Sequence, residues 1–427
     1  MKLLDMLIYS LILALYAYLI STFEYIYKDV YVMVSFIING LFFICFYISS
    51  KEAITIKKTI EIFCIFFMFL APLSQYGSGT VLWSSNGLRV SYSNEDYLFA
   101  NIIILLFFLV FELGYGLYVP NENKKVSYTY RGEKSLWRFC MIGFVVLALN
   151  IVTNGFSSFR SSSSLAVQIR NMVMFFPVEM LIISVLAYKR GQFSRKGLVL
   201  VVVQCLATYL LYSNNMPRFM FLGALMAVCT FFFRTVKCTS LYLLMYTIGF
   251  VFVFSVIRGQ GFLSYSTYEN IKLADFNHVD FDAYQILLAS IKYVKEEGIL
   301  WGKNILSAML NFIPRSIWHG KLDFSGKIIA HHYGSWYTNI SCPVQAECYL
   351  AFGIPGILLL GFLFGLLVKK IDSWKNNEDD YSQTLFCIIS GLTIYIMRGS
   401  LLSTIAYATG IILVFYLLFG TIHIKIK

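Results

Sequence analysis

Apolar runs long enough to cross a lipid bilayer recur along this chain from end to end, and nothing else restricts its fold as strongly. Each spanning helix needs roughly 17–25 such residues. Of the 427 residues 58% are hydrophobic and 13% charged, where soluble domains carry about 25% charged residues. The sequence therefore predicts an all-α, polytopic transmembrane helical bundle. Candidate spans lie near 4–22, 30–48, 59–75, 97–118, 138–153, 171–188, 198–213, 219–233, 241–257, 345–368, 383–397 and 401–420, about twelve in all. No small-residue cleavage site follows the first run, so Leu4–Phe23 reads as a retained span.

Lysine and arginine placement orients the bundle. One set of loops carries Lys51, Lys57 and Lys58, then Lys124, Lys125, Arg131, Lys134 and Arg138. It goes on with Lys189, Arg190, Arg195 and Lys196, then Arg234 and Lys237, then Lys369, Lys370 and Lys375, and ends with Lys425 and Lys427. By the positive-inside rule these loops and both termini are cytoplasmic. The chain then divides into spans one to nine (1–257), a large extracytoplasmic loop (258–344) and spans ten to twelve (345–427). The net charge of +11 is spread over span ends, which argues against nucleic acid as partner. Nine cysteines stand without metal-type spacing and read as free packing thiols; Cys342 and Cys348 are the pair placed to bond.

Seven of the twelve arginines fall on the outer side, where the positive-inside rule disfavours them: Arg89, Arg160, Arg170, Arg218, Arg258, Arg315 and Arg398. Arg218, Arg258 and Arg398 close spans and can converge there. A guanidinium fork suits bidentate phosphate binding better than an ammonium does. Snorkelling to headgroups accounts for any one of them but not for the bias.

The outer loop is the long polar excursion. It holds four of the five histidines, His278, His319, His331 and His332. Asp280 or Asp282 caps a helix whose stripe is Tyr284, Leu287, Leu288, Ile291 and Val294, ending at Gly298. A second stripe of Ile305, Leu306, Met309 and Ile313 stops before Pro314. Both helices are expected at the bilayer interface or on span ends. Asp280-Phe281-Asp282 has the acidic spacing of metal-dependent glycosyltransferases, but a capping role is favoured and no metal site is assigned. His331 or His332 suits a general base. Glu347 enters a span from outside, where it can pair with arginine or accept a sugar proton. Glu179 lies mid-span and calls for a polar partner; Glu112 is expected to pair with loop lysines.

No phosphate-cradling glycine loop, nucleophile elbow or internal repeat is present. Any driving energy comes from the substrate or an ion gradient, with no cofactor implied.

Pro314-Arg315-Ser316-x-Trp318-x-x-Lys321, after Gly302-Lys303 and before Glu347-x-Tyr349-x-x-Phe352-Gly353-x-x-Gly356, resembles the signature of the oligosaccharide repeat-unit polymerases, the Wzy-type O-antigen polymerases. Leu322 replaces the proline that usually follows the family's lysine. The resemblance is densest from about 255 to 370; elsewhere only hydropathy matches. It implies a GT-C-like membrane glycosyltransferase at the outer face of the bacterial cytoplasmic (inner) membrane, acting on undecaprenyl-diphosphate-linked oligosaccharide and probing membrane lipid with its spans. It also implies a polysaccharide chain-length regulator and a flippase as partners. On that reading Arg315, Arg258, Arg218, Arg398, Arg160 and Arg170 meet the diphosphate and glycan, Lys321 adds a secondary contact, and His331, His332 or Glu347 is the base. Attack on the anomeric carbon inverts it. The rival readings are an O-antigen ligase, a flippase or other transporter, and a membrane scaffold.

Overall fold

The computed structural model describes residues 2–27, 29–50, 52–119, 127–129, 133–154, 164–212, 218–253, 275–377, 380–419 and 421–423. A helix occupies each of the twelve apolar stretches. They are α1 (Lys2–Ser21), α2 (Val30–Ser49), α3 (Ile56–Phe63) running through a π-helical stretch Cys64–Leu70 into α4 (Ala71–Ser78), and α5 (Asn94–Leu117). Next come α6 (Glu133–Asn154), α7 (Ser164–Lys189), α8 (Arg195–Tyr212), α9 (Arg218–Phe233) and α10 (Thr239–Ile248), extended by a π-helical stretch Gly249–Val253. After the loop region follow α14 (Val344–Ser373), α15 (Asp380–Arg398) and α16 (Leu401–Phe419). Between them lie α11 (Ala283–Glu297), α12 (Lys303–Met309) and α13 (Ser325–His332). One short antiparallel pair, β1 (Ser127–Thr129) with β2 (Thr421–His423), sets Tyr128 opposite Ile422.

Among the described residues four helices are long and apolar enough to cross a membrane: Leu3–Ser21, Val30–Ser49, Asn94–Leu117 and Val344–Asn376. Their outward faces are apolar, with Leu7 and Leu11, Ile38 and Leu41, and Leu359, Leu363 and Leu367 exposed. Such surfaces are those of a helical membrane protein. The α3–α4 rod is the opposite case, its π-helical stretch buried throughout at the centre.

Small residues let the main pairs close. A Cβ on Gly365 of α14 would meet the Phe111 carbonyl of α5 at 2.2 Å, and one on Gly391 of α15 would meet the Gly223 carbonyl of α9 at 2.2 Å. Without a hydrophobic drive inside lipid, such close backbone approach supplies the dispersion contact.

Polar groups gather at the two ends of the bundle. At one end Asp5 accepts from Ser240 N at 2.9 Å, Lys57 meets Glu112 at 2.6 Å, and Asp372 accepts from Ile56 N at 2.7 Å. Glu112 thus finds the lysine expected of it. At the other end the loop residues lock onto span ends: Gln75 Nε2 donates to the Phe276 carbonyl at 2.8 Å, and Arg89 N donates to the Tyr333 carbonyl at 2.9 Å. All nine cysteines are free, Cys342 and Cys348 included.

Two expectations are narrowed and a third is corrected. Helix α11 takes the second of its two expected places, packed on α5: Ala283–Ile291 are buried, Gln285 and Ser290 among them, Tyr284 donates to Asn101 of α5 at 2.9 Å, and the last turn is exposed. A fifteen-residue amphipathic helix is accommodated inside because its polar groups find partners there. Helix α12 turns its stripe outward, exposing Leu306 and Met309 while burying Asn304, Ser307 and Ala308. Glu179 in α7 is buried, yet both carboxyl oxygens lack a hydrogen-bond partner among the described residues.

Candidate functional site

The residues 278–282 between the π-helical end of α10 and α11 form a single 3₁₀ turn, Val279–Phe281, and two arginines close on it. Arg398, the last residue of α15, donates through Nη2 to Asp282 Oδ1 at 2.8 Å and through Nε to the Asp280 carbonyl at 3.0 Å. Its guanidinium also lies over the Phe219 ring, 4.4 Å from the centroid. Arg218, the first residue of α9, donates to Asp280 Oδ2 at 2.7 Å. Packing of α9 on α15 brings these two span ends together. Asp282 is fully buried and also accepts from Trp83 Nε1 at 2.8 Å and from Ser341 N at 3.3 Å.

Neither aspartate caps α11 through its side chain, as the sequence favoured; both carboxylates face guanidinium groups instead. A charge pair outweighs a cap here because the site is largely shielded from water. Burial works against ionisation of Asp280, but the hydrogen bond with His278 and the charges of Arg218 and Arg398 outweigh it. They hold its carboxyl down at about 2.

His278 completes this cluster. Its Nδ1 accepts from the Asp280 amide at 3.2 Å, capping the 3₁₀ turn, and lies 3.1 Å from Asp280 Oδ2. Moving the proton onto Nδ1 gives up that amide bond, lets the ring donate to the carboxylate and leaves Nε2 with a lone pair. That is the orientation a carboxylate imposes on a base histidine. Among the described histidines of 275–344, His278 is the one that shares a carboxylate with an arginine.

Glu347, in the first turn of α14, is buried and acts as a junction. Oε1 accepts from Ser400 Oγ at 3.0 Å and Leu401 N at 2.7 Å; Oε2 accepts from Ser325 Oγ at 2.7 Å and Asn304 Nδ2 at 2.8 Å. One carboxylate thereby joins the starts of α13, α14 and α16 to α12. These four donors occupy the lone pairs that a base would use.

The glycines of the sequence signature serve the same junction. At Phe352-Gly353 the α14 backbone leaves helical geometry, Gly353 taking φ 65°. The freed carbonyls of Leu350 and Ala351 accept from Leu300 N at 2.8 Å and Gly302 N at 3.1 Å. Gly302 itself has φ 73°, and a Cβ there would sit 2.5 Å from the Phe352 ring.

The remaining candidates fall elsewhere. Arg315 is exposed and pairs with Asp323, which Lys327 also meets at 3.1 Å. Burial opposes ionisation of Asp323, but bonds from Lys327 and Arg315 hold its carboxyl below the usual value. Lys321 Nζ donates to the Asn311 and Ile313 carbonyls at 2.7 and 2.9 Å, so it ties the turn before Pro314. Burial and the Arg315 charge push its pKa down. His332 Nε2 lies 2.9 Å from Glu296 Oε2, which also accepts from Tyr333 at 3.0 Å; His331 is exposed. Arg160, Arg258 and the turn 213–217 lie outside the described residues, as does the side chain of Arg170.

The structure thus brings Arg218 and Arg398 together and gives Arg315, the histidine pair 331–332 and Glu347 different neighbours. Sequence reasoning missed His278 as a site residue and missed the aspartates as arginine partners. The available signal was charge balance, since arginines gathered in a partly dry place require carboxylates near them. No protein-family model, curated protein or solved structure matches the chain.

Proposed function

We propose that this chain is an integral membrane glycosyltransferase of the polysaccharide polymerase type, with about twelve spans, both termini cytoplasmic and its loop-bearing end outside. It transfers a growing glycan from undecaprenyl diphosphate to the next lipid-linked repeat unit. The observation that carries this reading is the convergence of Arg218 and Arg398 on Asp280 and Asp282, with His278 beside them. It is a charge-balanced site at helix ends, two guanidinium groups against two carboxylates, with a histidine 3.1 Å from one of those carboxylates.

In the proposed reaction the diphosphate takes the place of a carboxylate at the guanidinium forks, an exchange of one anion for another. His278 Nε2 removes the proton from an acceptor sugar hydroxyl, and Asp280 balances the imidazolium that results. The hydroxyl oxygen bonds to the anomeric carbon as the bond from that carbon to the diphosphate oxygen breaks. The electron pair leaves on the diphosphate, where Arg218 and Arg398 neutralise it. The leaving group supplies the driving force, so no nucleotide is needed. Arg315, on its exposed turn, is placed in the same reading to meet the glycan or its diphosphate.

The test is incubation of the purified protein with a synthetic polyprenyl-diphosphate repeat unit, with and without chelator. Carrier-linked oligomers are expected; unchanged substrate refutes the assignment. Transfer only to a lipid-A core acceptor marks a ligase. A transport reading draws on buried in-span charges, Glu179 and the Glu61–Lys58 neighbourhood, and it predicts movement of intact substrate across vesicles without new glycosidic bonds.

A further inference from the structure

Helix α12 is built the wrong way out for a helix in water. The face against the protein carries Asn304, which donates to Glu347, and Ser307, whose hydroxyl accepts from Leu322 N at 3.1 Å. The outward face carries Leu306 and Met309. The exposed apolar surface continues on both sides, with Trp301, Phe312 and Ile317 each 74% exposed, and Phe324 closes it. Trp301 is also held at φ 51°, a left-handed conformation that a bulky residue adopts at a cost. Fixing a strained indole outward makes sense only if something receives it.

Charge complements the apolar face. Between 301 and 327 stand Lys303, Arg315, Lys321 and Lys327 against Asp323 alone, four cations to one carboxylate. Helix α12 packs on α14 and α16, and α14 presents Ile354, Leu358, Leu359 and Leu363 on its own outer surface. The patch therefore continues an apolar band that a spanning helix presents to lipid.

We infer that Trp301–Phe324 is an interfacial anchor, seated in the headgroup region of the bilayer at the loop-bearing end and drawn to anionic lipid. An outward apolar face, tryptophan at the boundary and flanking cations are what that layer binds. The anchor sets the height of the Arg315 turn and of the Glu347 junction against the membrane. It rests on the reading of the chain as a membrane protein and is independent of the reaction at the arginine cluster.

The test compares wild-type protein with Trp301→Phe in nanodiscs, so that the difference in emission isolates Trp301. Phe312→Trp gives a second reporter should the first variant misfold. In discs of acyl-brominated lipid, the Trp301 component is expected to lose most of its intensity and to resist aqueous iodide. The loss is expected to be greater in discs containing phosphatidylglycerol than in phosphatidylcholine alone, with Lys303→Ser narrowing the difference. Quenching by iodide and not by bromolipid overturns the anchor. So does protection from both in particles of twice the mass, which assigns the face to a second copy of the chain. Equal quenching in both lipids removes the preference for anionic lipid.

Discussion

Arg398 and Asp282 meet at 2.8 Å across 116 residues of chain, and their pair fastens the end of α15 to the turn that starts α11. Trp83 completes the arrangement: its indole donates to the same carboxylate and stacks on Tyr337 at 4.9 Å, and its backbone takes φ 64° to do so. A buried carboxylate with a cation and two neutral donors is well satisfied, but removing it leaves the guanidinium without its charge partner.

Asp282→Ala is therefore expected to destabilise the protein by about 3–5 kcal/mol, the usual result of breaking a buried pair from one side. Thermal unfolding in detergent measures this. An unchanged midpoint would show that the pair holds nothing together.

Glu347→Gln separates a structural junction from a catalytic base. Its amide has to face donors that now point at a carboxylate, which costs about 1–3 kcal/mol. Stability and glycan transfer are expected to fall together. Loss of transfer with an unchanged melting curve would assign Glu347 to the chemistry.

His278→Asn keeps a polar group near Asp280 and removes Nε2. Transfer by this variant is expected to fall by about 10²–10⁴, the range for loss of a general base, while the protein stays folded. His331→Ala is expected to retain transfer, because that side chain faces outward. The reverse pattern moves the base to the histidine pair.

Asp280 gives a pH signature with a defined sign. Its folded value of about 2 lies below its unperturbed 3.8, so ionised Asp280 stabilises the fold above about pH 4 and the contribution is lost as pH falls toward 2. Asp280→Asn removes the contribution at every pH. Wild-type and variant melting curves are expected to differ most near neutrality and to approach each other on acidification; a constant gap between them contradicts the assignment.

Arg315→Ala is expected to abolish long-chain polymer while leaving the protein inserted and abundant, since the residue is exposed and holds only Asp323 and the Leu322 carbonyl. Product chain length read on a gel decides the matter, and normal lengths remove Arg315 from the site.

Much of the architecture is legible in the sequence because each apolar run must form its own hydrogen bonds, and a helix does this locally. The stop before Pro314 follows from neighbours in the chain, and the pairing of Glu112 with a lysine from the charge near that end of the helix. Side-chain partners across the fold do not. Asp280-Phe281-Asp282 looks like a helix start, and only the arrival of two arginines from 62 and 116 residues away turns it into an ionic cluster. The α12 stripe has the right period, but periodicity gives an apolar face without saying whether protein or lipid will cover it.

What the amino-acid order determined by itself was a set of apolar helices and the long polar stretch that separates α10 from α14. Each of these depends on hydropathy and charge summed over short windows. The tertiary structure alone decided which carboxylate meets which cation, that Glu347 is ringed by four donors, and that α11 is buried while α12 faces outward. Those outcomes depend on distances between residues remote in the chain, and packing against the neighbouring helices sets them.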